Sequence, residues 1–532
     1  MTMRPPVTKA DDVRWRPSAN PWLIAASVMV ATFMVVLDSS VANVALPHIA
    51  GNLAATTDES TWVLTSYLVS SAIMLPATGW LARRIGRKRL LMMSILVFTG
   101  ASLLCGMALD LPMLILARIV QGIGGGAFQP LAQAILLESF PPHQHGVAMA
   151  AYGVGVVVAP VVGPTLGGWI TDSYSWRWIF YINLPVGVLA LFMVRVFIED
   201  PPYLRQVFQE SIDYLGFALM ALWLGTLQLI LDKGQEADWF AAVWVRWIAA
   251  VSAAALIGFV LREMRHREPI TQLRVLADRN FGVGTLITGL YGFVLYGVTA
   301  TLPLFLQTLL GYPALDSGLA VSPRGIGSML SMIVVGRLVQ YLDGRLLLAA
   351  GFGILAYSTL LLSHANLDIA MVSVALPNLI NGFASGFIFV PLTTMTMGRL
   401  SNQEIGNAAG LYNLVRSIGG SVGIASVTTF LVRGAQIHQS HLVAHVTAQD
   451  PAVLERLHGL ETGFALGGTG SYVAHQKALG TLYATVQRQA YLLAYVDNFR
   501  FLAMLSLSCI PLALCFHRLR RSQRASADPH GE

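Results

Sequence analysis

The chain has 532 residues, of which 55% are apolar and only 12% charged, with a formal net charge of +6. Soluble domains carry about twice that charged share, so this is not the composition of a soluble domain. Nor is the positive balance a nucleic-acid signal, because the 34 Lys and Arg residues are distributed along the chain as membrane topology requires.

Apolar runs long enough to cross a bilayer recur along nearly the whole length. Fourteen are expected, at 21–46, 62–82, 90–109, 112–137, 147–171, 176–198, 214–231, 240–261, 281–306, 315–341, 346–363, 368–398, 404–433 and 498–517. The predicted fold class is therefore an all-α polytopic membrane protein. The first run follows a polar tail and lacks a small-residue cleavage site, so it reads as a span and not a removed signal peptide. Lys and Arg gather in the two tails and in alternate loops, among them 82–89, 262–280 and 337–345. The positive-inside rule then puts both termini in the cytoplasm, which an even number of spans allows.

In span 1, Asp38 is the one carboxylate expected deep in the membrane, about nine residues or ~13 Å from the outer end. Glu138, Asp213, Asp232, Asp316 and Glu404 sit at span ends, where water is expected to solvate them. Buried carboxylates are costly and usually functional. Two readings of Asp38 are open: a proton-exchange group, or a permanently ionised partner of Arg118. Arg118, in span 4, lies ~9 Å from its own outer end, a depth compatible with an ion pair or a shared water network. It either tunes Asp38 or merely neutralises it.

The loop GWLARRIGRK (79–88) joins spans 2 and 3. Gly79 and Gly86 allow a tight turn, and Arg83, Arg84 and Arg87 either clasp the other half as an inner gate or only satisfy topology. Span 5 reads GVGVVVAPVVGPTLGGWI (153–170). Glycine and proline weaken helices in water, but inside a bilayer such a span persists if neighbours pack closely on it. Gly153, Pro160, Gly163, Pro164 and Gly167 fall on one face, which predicts a close-packed hinge. Further along, Arg324 and Arg416 are deep cations without an acid in sequence view. They either bind an anionic ligand group or cap carbonyls at helix breaks. With Gln121, Gln129, Gln307, Asn378, Asn381 and Asn413 they are candidates for lining a substrate cavity.

Several signals recur about 260 residues apart. Leu46-Pro47 matches Leu302-Pro303, GWLARRIGRK matches GRLVQYLDGR (336–345), and QGIGGGAFQP (121–130) matches NGFASGFIFVP (381–391). Parallel six-helix repeats build transporters with two rocking halves. The expected organisation is a tail (1–20), a six-helix half (21–198), an inserted pair (199–262), a second half (263–517) and a tail (518–532). Within the second half, 434–497 reads as two outer helices joined by GFALGGTGS (463–471), with Val443, Val446, Val453 and Leu457 pairing against Leu479, Leu482, Val486 and Tyr491.

No metal site is expected. His438, His441 and His445 share a helix face, but no further ligand fixes an ion. The three cysteines lie inside spans at no ligand spacing. No phosphate-binding Gly-Lys-Ser/Thr loop is present, so nucleotide-driven transport is not expected.

With these residues in view, LDSSVANVALP (37–47), LILARIVQGIGGG (114–126) and the span-5 run resemble the motifs of the fourteen-span drug:proton antiporters of the major facilitator superfamily. WRWIFYINLPVG (176–187), LQLILDKGQEADWF (227–240) and NLVRSIGGSVG (413–423) also resemble that group, and the long outer segment is similar to that of its EmrB-type subfamily. The resemblance implies a major facilitator fold in the cell inner membrane and proton-coupled export of hydrophobic or amphipathic compounds. It places the proton site at Asp38 and Arg118, with the proton gradient and no cofactor as energy source. It also implies a periplasmic adaptor and an outer-membrane channel as partners. One departure stands out: the superfamily's usual acidic residue after Gly-x-Leu-Ala is here Arg83. Proton-coupled uptake on the same fold is the first alternative. A polytopic membrane enzyme is the second, although no polar catalytic cluster is visible at an interface.

Overall fold

Each long apolar run becomes one helix, because a backbone in hydrocarbon must satisfy its own hydrogen bonds. The computed structural model describes residues 17–200, 213–266, 269–339, 341–400, 402–447 and 449–517. Most of both expected tails, and most of the loop after span 6, lie outside the described residues. Helices α1 (Pro21–Asn52), α2 (Thr57–Ile85), α3 (Arg87–Gly106), α4 (Leu111–Ser139), α5 (His145–Ser173) and α6 (Trp178–Phe197) form the first set. Then come the pair α7 (Tyr214–Lys233) and α8 (Val243–Arg265). The second set is α9 (Arg279–Leu309), α10 (Asp316–Leu338), α11 (Gly344–Leu362), α12 (Met371–Met397), α13 (Asn402–Val443) and α15 (Ser471–Leu514), with the shorter α14 (Pro451–Leu466) before the last. All but α14 are long and apolar enough to cross a bilayer, fourteen among the described residues. No strand occurs among the described residues.

Helix starts are fixed by short polar side chains that accept the otherwise unpaired first N–H groups. Thr56 and Glu59 form a reciprocal capping box on α2. Asp110, Asp213 and Asp278 each accept from the N–H three residues on, at the starts of α4, α7 and α9. The turn from α2 to α3 needs Gly86, whose φ is 88° and whose α-carbon lies against the Asp200 carboxylate. Asp200 in turn accepts from the Lys88 N–H at 2.8 Å.

The hydrophobic clusters show how the two sets meet. Ala150, Tyr152 and Leu136 pack with Met332, Val335, Phe389 and Tyr412 in one cluster. A second joins Leu75 and Trp80 of α2 to Ala408, Leu411 and Leu414 of α13, with Met220, Leu224 and Phe259 of the inserted pair over the seam. These residues lie toward the face that carries the start of α1 and the end of α15. Toward the opposite face the clusters separate: one around Leu37, Val41 and Trp176 belongs to the first set alone. Another, around Leu302, Phe305 and Tyr495, belongs to the second alone. The two sets are thus fused at the chain-end face and have separate cores at the far face.

At 1.5 Å per residue the 42-residue α13 is ~63 Å long, about twice a hydrocarbon core. It runs unbroken to Val443, ten residues past the expected end of its span. The glycine-rich turn does separate α14 from α15. Ala474 and Ala478 are buried there, and Lys477 stands over the Phe464 ring. Val453, Leu457, Leu482 and Val486 are half-buried, whereas Val443 and Leu479 are exposed.

Candidate functional site

Helix α4 reaches its neighbours closely because its glycines present no side chain. A Cβ at Gly122 would sit 2.0 Å from the Ser70 Oγ, and one at Gly124 would sit 2.7 Å from the Phe98 backbone N. The helix therefore lies flush on α2 and α3, which carries Arg118 into the middle of the first set. Arg118 Nε donates to the Val63 carbonyl at 3.0 Å, and its guanidinium lies 4.3 Å from the Tyr67 ring centre. Nη1 donates to Asp38 Oδ2 at 2.6 Å and to Gln121 Oε1 at 2.7 Å.

Asp38 is met from two further sides. Gln121 Nε2 donates to its Oδ1 at 2.9 Å and Asn183 Nδ2 to the same oxygen at 2.7 Å. Asn183 also donates to Ser102 Oγ, which donates to the Phe180 carbonyl. Asp38 is 2% exposed and Arg118 0%. Burying an ion pair is costly unless further hydrogen bonds support it; here three donors from α4 and α6 surround one carboxylate of α1, while Arg118 Nη2 has no hydrogen-bond partner among the described residues. Protonating Asp38 would place a hydrogen where a donor now points and remove the charge that Arg118 faces.

Gln121 is therefore not a cavity residue; it is fully buried and bound to Asp38. Sequence reasoning missed Asn183. Its signal was an amide inside the otherwise apolar IFYINLPVG run, but several asparagines share that signal, and only the packing of α6 on α1 distinguishes this one.

Two acids expected in water are shielded. Glu138, at the end of α4, pairs with Arg87, and both side chains are 3% exposed. The Asp213 side chain is fully buried and accepts from Arg262 at 3.1 Å. Burial pushes its carboxyl up, but the Gly216 N–H and Arg262 outweigh that and hold it below its ordinary value. In the gate loop, Arg84 stands over the Trp80 ring at 5.7 Å. A Cβ at Gly79 would strike Asn407 of α13, with 2.7 Å to its α-carbon, so this glycine is where α2 and α13 touch. Arg83 occupies the position where the resemblance would place an acid. The Asp200 carboxylate instead holds the start of α3.

The glycines of α5 divide between two neighbours. A Cβ at Gly153 would sit 2.5 Å from Met332 of α10, but at Gly163 it would meet Ser40 at 2.5 Å and at Gly167 Val41 at 2.9 Å. Of the expected hinge face, Gly153 thus packs on the second set, whereas Gly163 and Gly167 seat α1 within their own set. Pro160 is exposed, and the Pro164 side chain lies outside the described residues.

Among the remaining candidates, Asn413 donates to Gln133 at 2.8 Å, and Arg416 donates to Gln129; both bonds cross between the sets. Arg324 donates to Thr299 at 2.7 Å and Gln307 to Ser317 at 3.3 Å. Asn378 and Asn381 do not face a cavity here: both are fully buried, the first bonded to the Val374 carbonyl and the second to Ser358 of α11. The three histidines are dispersed in role. His438 meets Asp497 at 2.7 Å and His445 its own helix carbonyl at His441. No group of metal-ligating side chains occurs among the described residues.

The sequence model of the Major Facilitator Superfamily matches residues 28–424. The chain is 38% identical over 458 residues to the multidrug export protein EmrB of Haemophilus influenzae, covering 85% of this chain and 89% of that one. It is 36% identical to the fatty acid resistance protein FarB of Neisseria gonorrhoeae, covering 93% and 96%. In fold it is similar to the human organic anion transporter MFSD10, with a TM-score of 0.59 at 13% identity over 91% of this chain and 99% of that one.

Proposed function

This chain belongs to the Major Facilitator Superfamily and is a multidrug efflux transporter of its EmrB type, and we propose that it works by proton exchange at Asp38. It is a multi-pass inner-membrane protein. The observation that carries the proton reading is the buried Asp38 with three converging donors. Loss of the Asp38 charge would free α1 from α4 and α6, so protonation and helix position are coupled in one element.

Both termini lie in the cytoplasm in this reading, which the clustering of Lys and Arg in alternate loops supports. The fused face is then the closed inner gate and the separate cores flank an outer opening. Asp38 takes up a proton from the outer side as substrate leaves and gives it up inside, driven by the proton gradient. Substrates are hydrophobic amphiphiles, as the multidrug and fatty-acid resistance of the relatives suggests. The projecting ends of α13 and α15 with α14 dock a periplasmic adaptor that leads to an outer-membrane channel. Exposed Ile437, Val443, Leu454 and Tyr483 support that contact, because apolar groups on an element outside the membrane mark interaction surfaces.

Inverted membrane vesicles with an imposed proton gradient test the reading. Proton-dependent accumulation of a fluorescent hydrophobic substrate is expected. Movement of substrate in the same direction as protons would mean uptake on the same fold.

A further inference from the structure

Arg118 is neutralised by Asp38, but two other arginines in the membrane-spanning part are not. Neither Arg324 nor Arg416 has a carboxylate partner among the described residues; each donates to one neutral oxygen, Thr299 and Gln129 respectively. A guanidinium carries five N–H donors in a fixed fork, so most of each remains uncommitted. Both side chains are partly exposed, although each lies well inside its helix. Arg324 is ~12 Å from the start of α10 and Arg416 ~21 Å from the start of α13. The two helices run in opposite directions, which brings both to a similar level. An arginine at that depth lines a watery space, because facing lipid is too costly.

The surroundings are aromatic and amphipathic. Tyr291 is buried on α9, one residue before Gly292, and Tyr412 is buried on α13, one turn before Arg416. Tyr296, also on α9, lies against α13: a Cβ at Gly420 would sit 2.5 Å from its ring. Tyr152 is stacked on Phe389, with ring centres 6.2 Å apart. Gly292 lets Arg416 approach: a Cβ there would sit 2.4 Å from the Arg416 carbonyl. The result is a cationic spot with flat walls, between α4 and α5 of one set and α9, α10 and α13 of the other.

We propose that Arg324 and Arg416 form an anion-recognition site that selects amphiphilic substrates bearing a carboxylate or sulfonate on an aromatic or long apolar body. Guanidiniums match such groups in geometry and charge, and tyrosines supply flat apolar area with a polar edge. The Arg416–Gln129 bond joins the two sets, so an anion on Arg416 competes with a contact that holds them together. This inference rests on the export reading and narrows its substrate class.

Two probes with one aromatic skeleton test it on the full-length protein in nanodiscs, with empty nanodiscs subtracted. They are 8-anilinonaphthalene-1-sulfonate, which is anionic, and N-phenyl-1-naphthylamine, which is neutral. Arg324→Gln and Arg416→Gln are each expected to weaken sulfonate binding about tenfold and to change neutral binding by less than about twofold, the loss of one charge-assisted contact. Arg324→Lys and Arg416→Lys keep the charge and should retain most sulfonate binding. Equal losses for both probes, no loss for either, or Lys variants as weak as the Gln variants would each overturn the proposal. If the unaltered protein shows no proton-driven efflux of either probe, the export reading fails instead, whatever the binding pattern.

Discussion

Gly163 of α5 rests directly on Ser40 of α1, two residues beyond Asp38: a Cβ at that glycine would lie 2.5 Å from both the Cβ and the Oγ of the serine. Gly167 meets Val41 one turn further on. Gly163 and Gly167 of α5 thus form the bed on which the Asp38-bearing segment of α1 lies. Any movement of α1 that follows protonation of Asp38 slides along this bed.

Gly163→Leu and Gly167→Leu should therefore push α1 away from its partners, at an overpacking cost of about 1–3 kcal/mol. Efflux is expected to fall more steeply than folded yield, with Gly163→Ala intermediate. Size-exclusion yield and vesicle efflux measured side by side check this; normal efflux in both Leu variants would make the glycines incidental.

The pair of Asp213 and Arg262 gives a pH prediction with a definite sign. The folded-state carboxyl is held below its ordinary value, so the stability it contributes is present above about pH 4 and is lost as pH falls through its folded value. Asp213→Asn should lower the thermal midpoint in detergent near neutral pH. The gap to the unaltered protein should narrow as the buffer is taken below about pH 4. A constant gap across that range would show that the charge of Asp213 is not what stabilises.

Much of this was legible in the chain. Fourteen spans follow from hydropathy and length, because a bilayer allows a spanning chain little but helix. The depth of Asp38 and Arg118 also follows from counting residues at a fixed rise. What remained hidden depends on how helices rotate against each other. Gln121 reads as a cavity amide until its face of α4 is seen turned onto Asp38, and Asn183 looks no different from Asn378 or Asn381 along the chain. Glu138 stands at a span end, yet the turn at Gly86 brings Arg87 over it and removes both from water. The length of α13 was underestimated because hydropathy marks where the membrane ends, not where the helix does.

The inner seam makes a separate prediction at Gly79. Gly79→Leu has no room beside Asn407 and should wedge α2 from α13. Leu75 is 7% exposed beside this seam, so a cysteine at Leu75 should react faster with a water-soluble maleimide once the wedge is present. An unchanged labelling rate would mean that α2 and α13 are not held together here.

Replacing 436–490 with a short flexible linker is expected to leave efflux in vesicles intact, because these helical segments lie beyond the expected ends of the adjoining spans at 433 and 498. Resistance of intact double-membraned cells should be lost if the projection docks an adaptor. Cells that stay resistant would show the segment to be dispensable.

The central claim is that Asp38 carries the exchanged proton. Purified protein in liposomes loaded with a pH-sensitive dye allows proton movement to be followed when substrate is added outside. The unaltered protein should move protons in response to substrate. Asp38→Asn, which keeps the side-chain size and removes the charge, should fold and bind substrate but move none. Substrate-driven proton movement by Asp38→Asn at a rate near that of the unaltered protein would contradict the account.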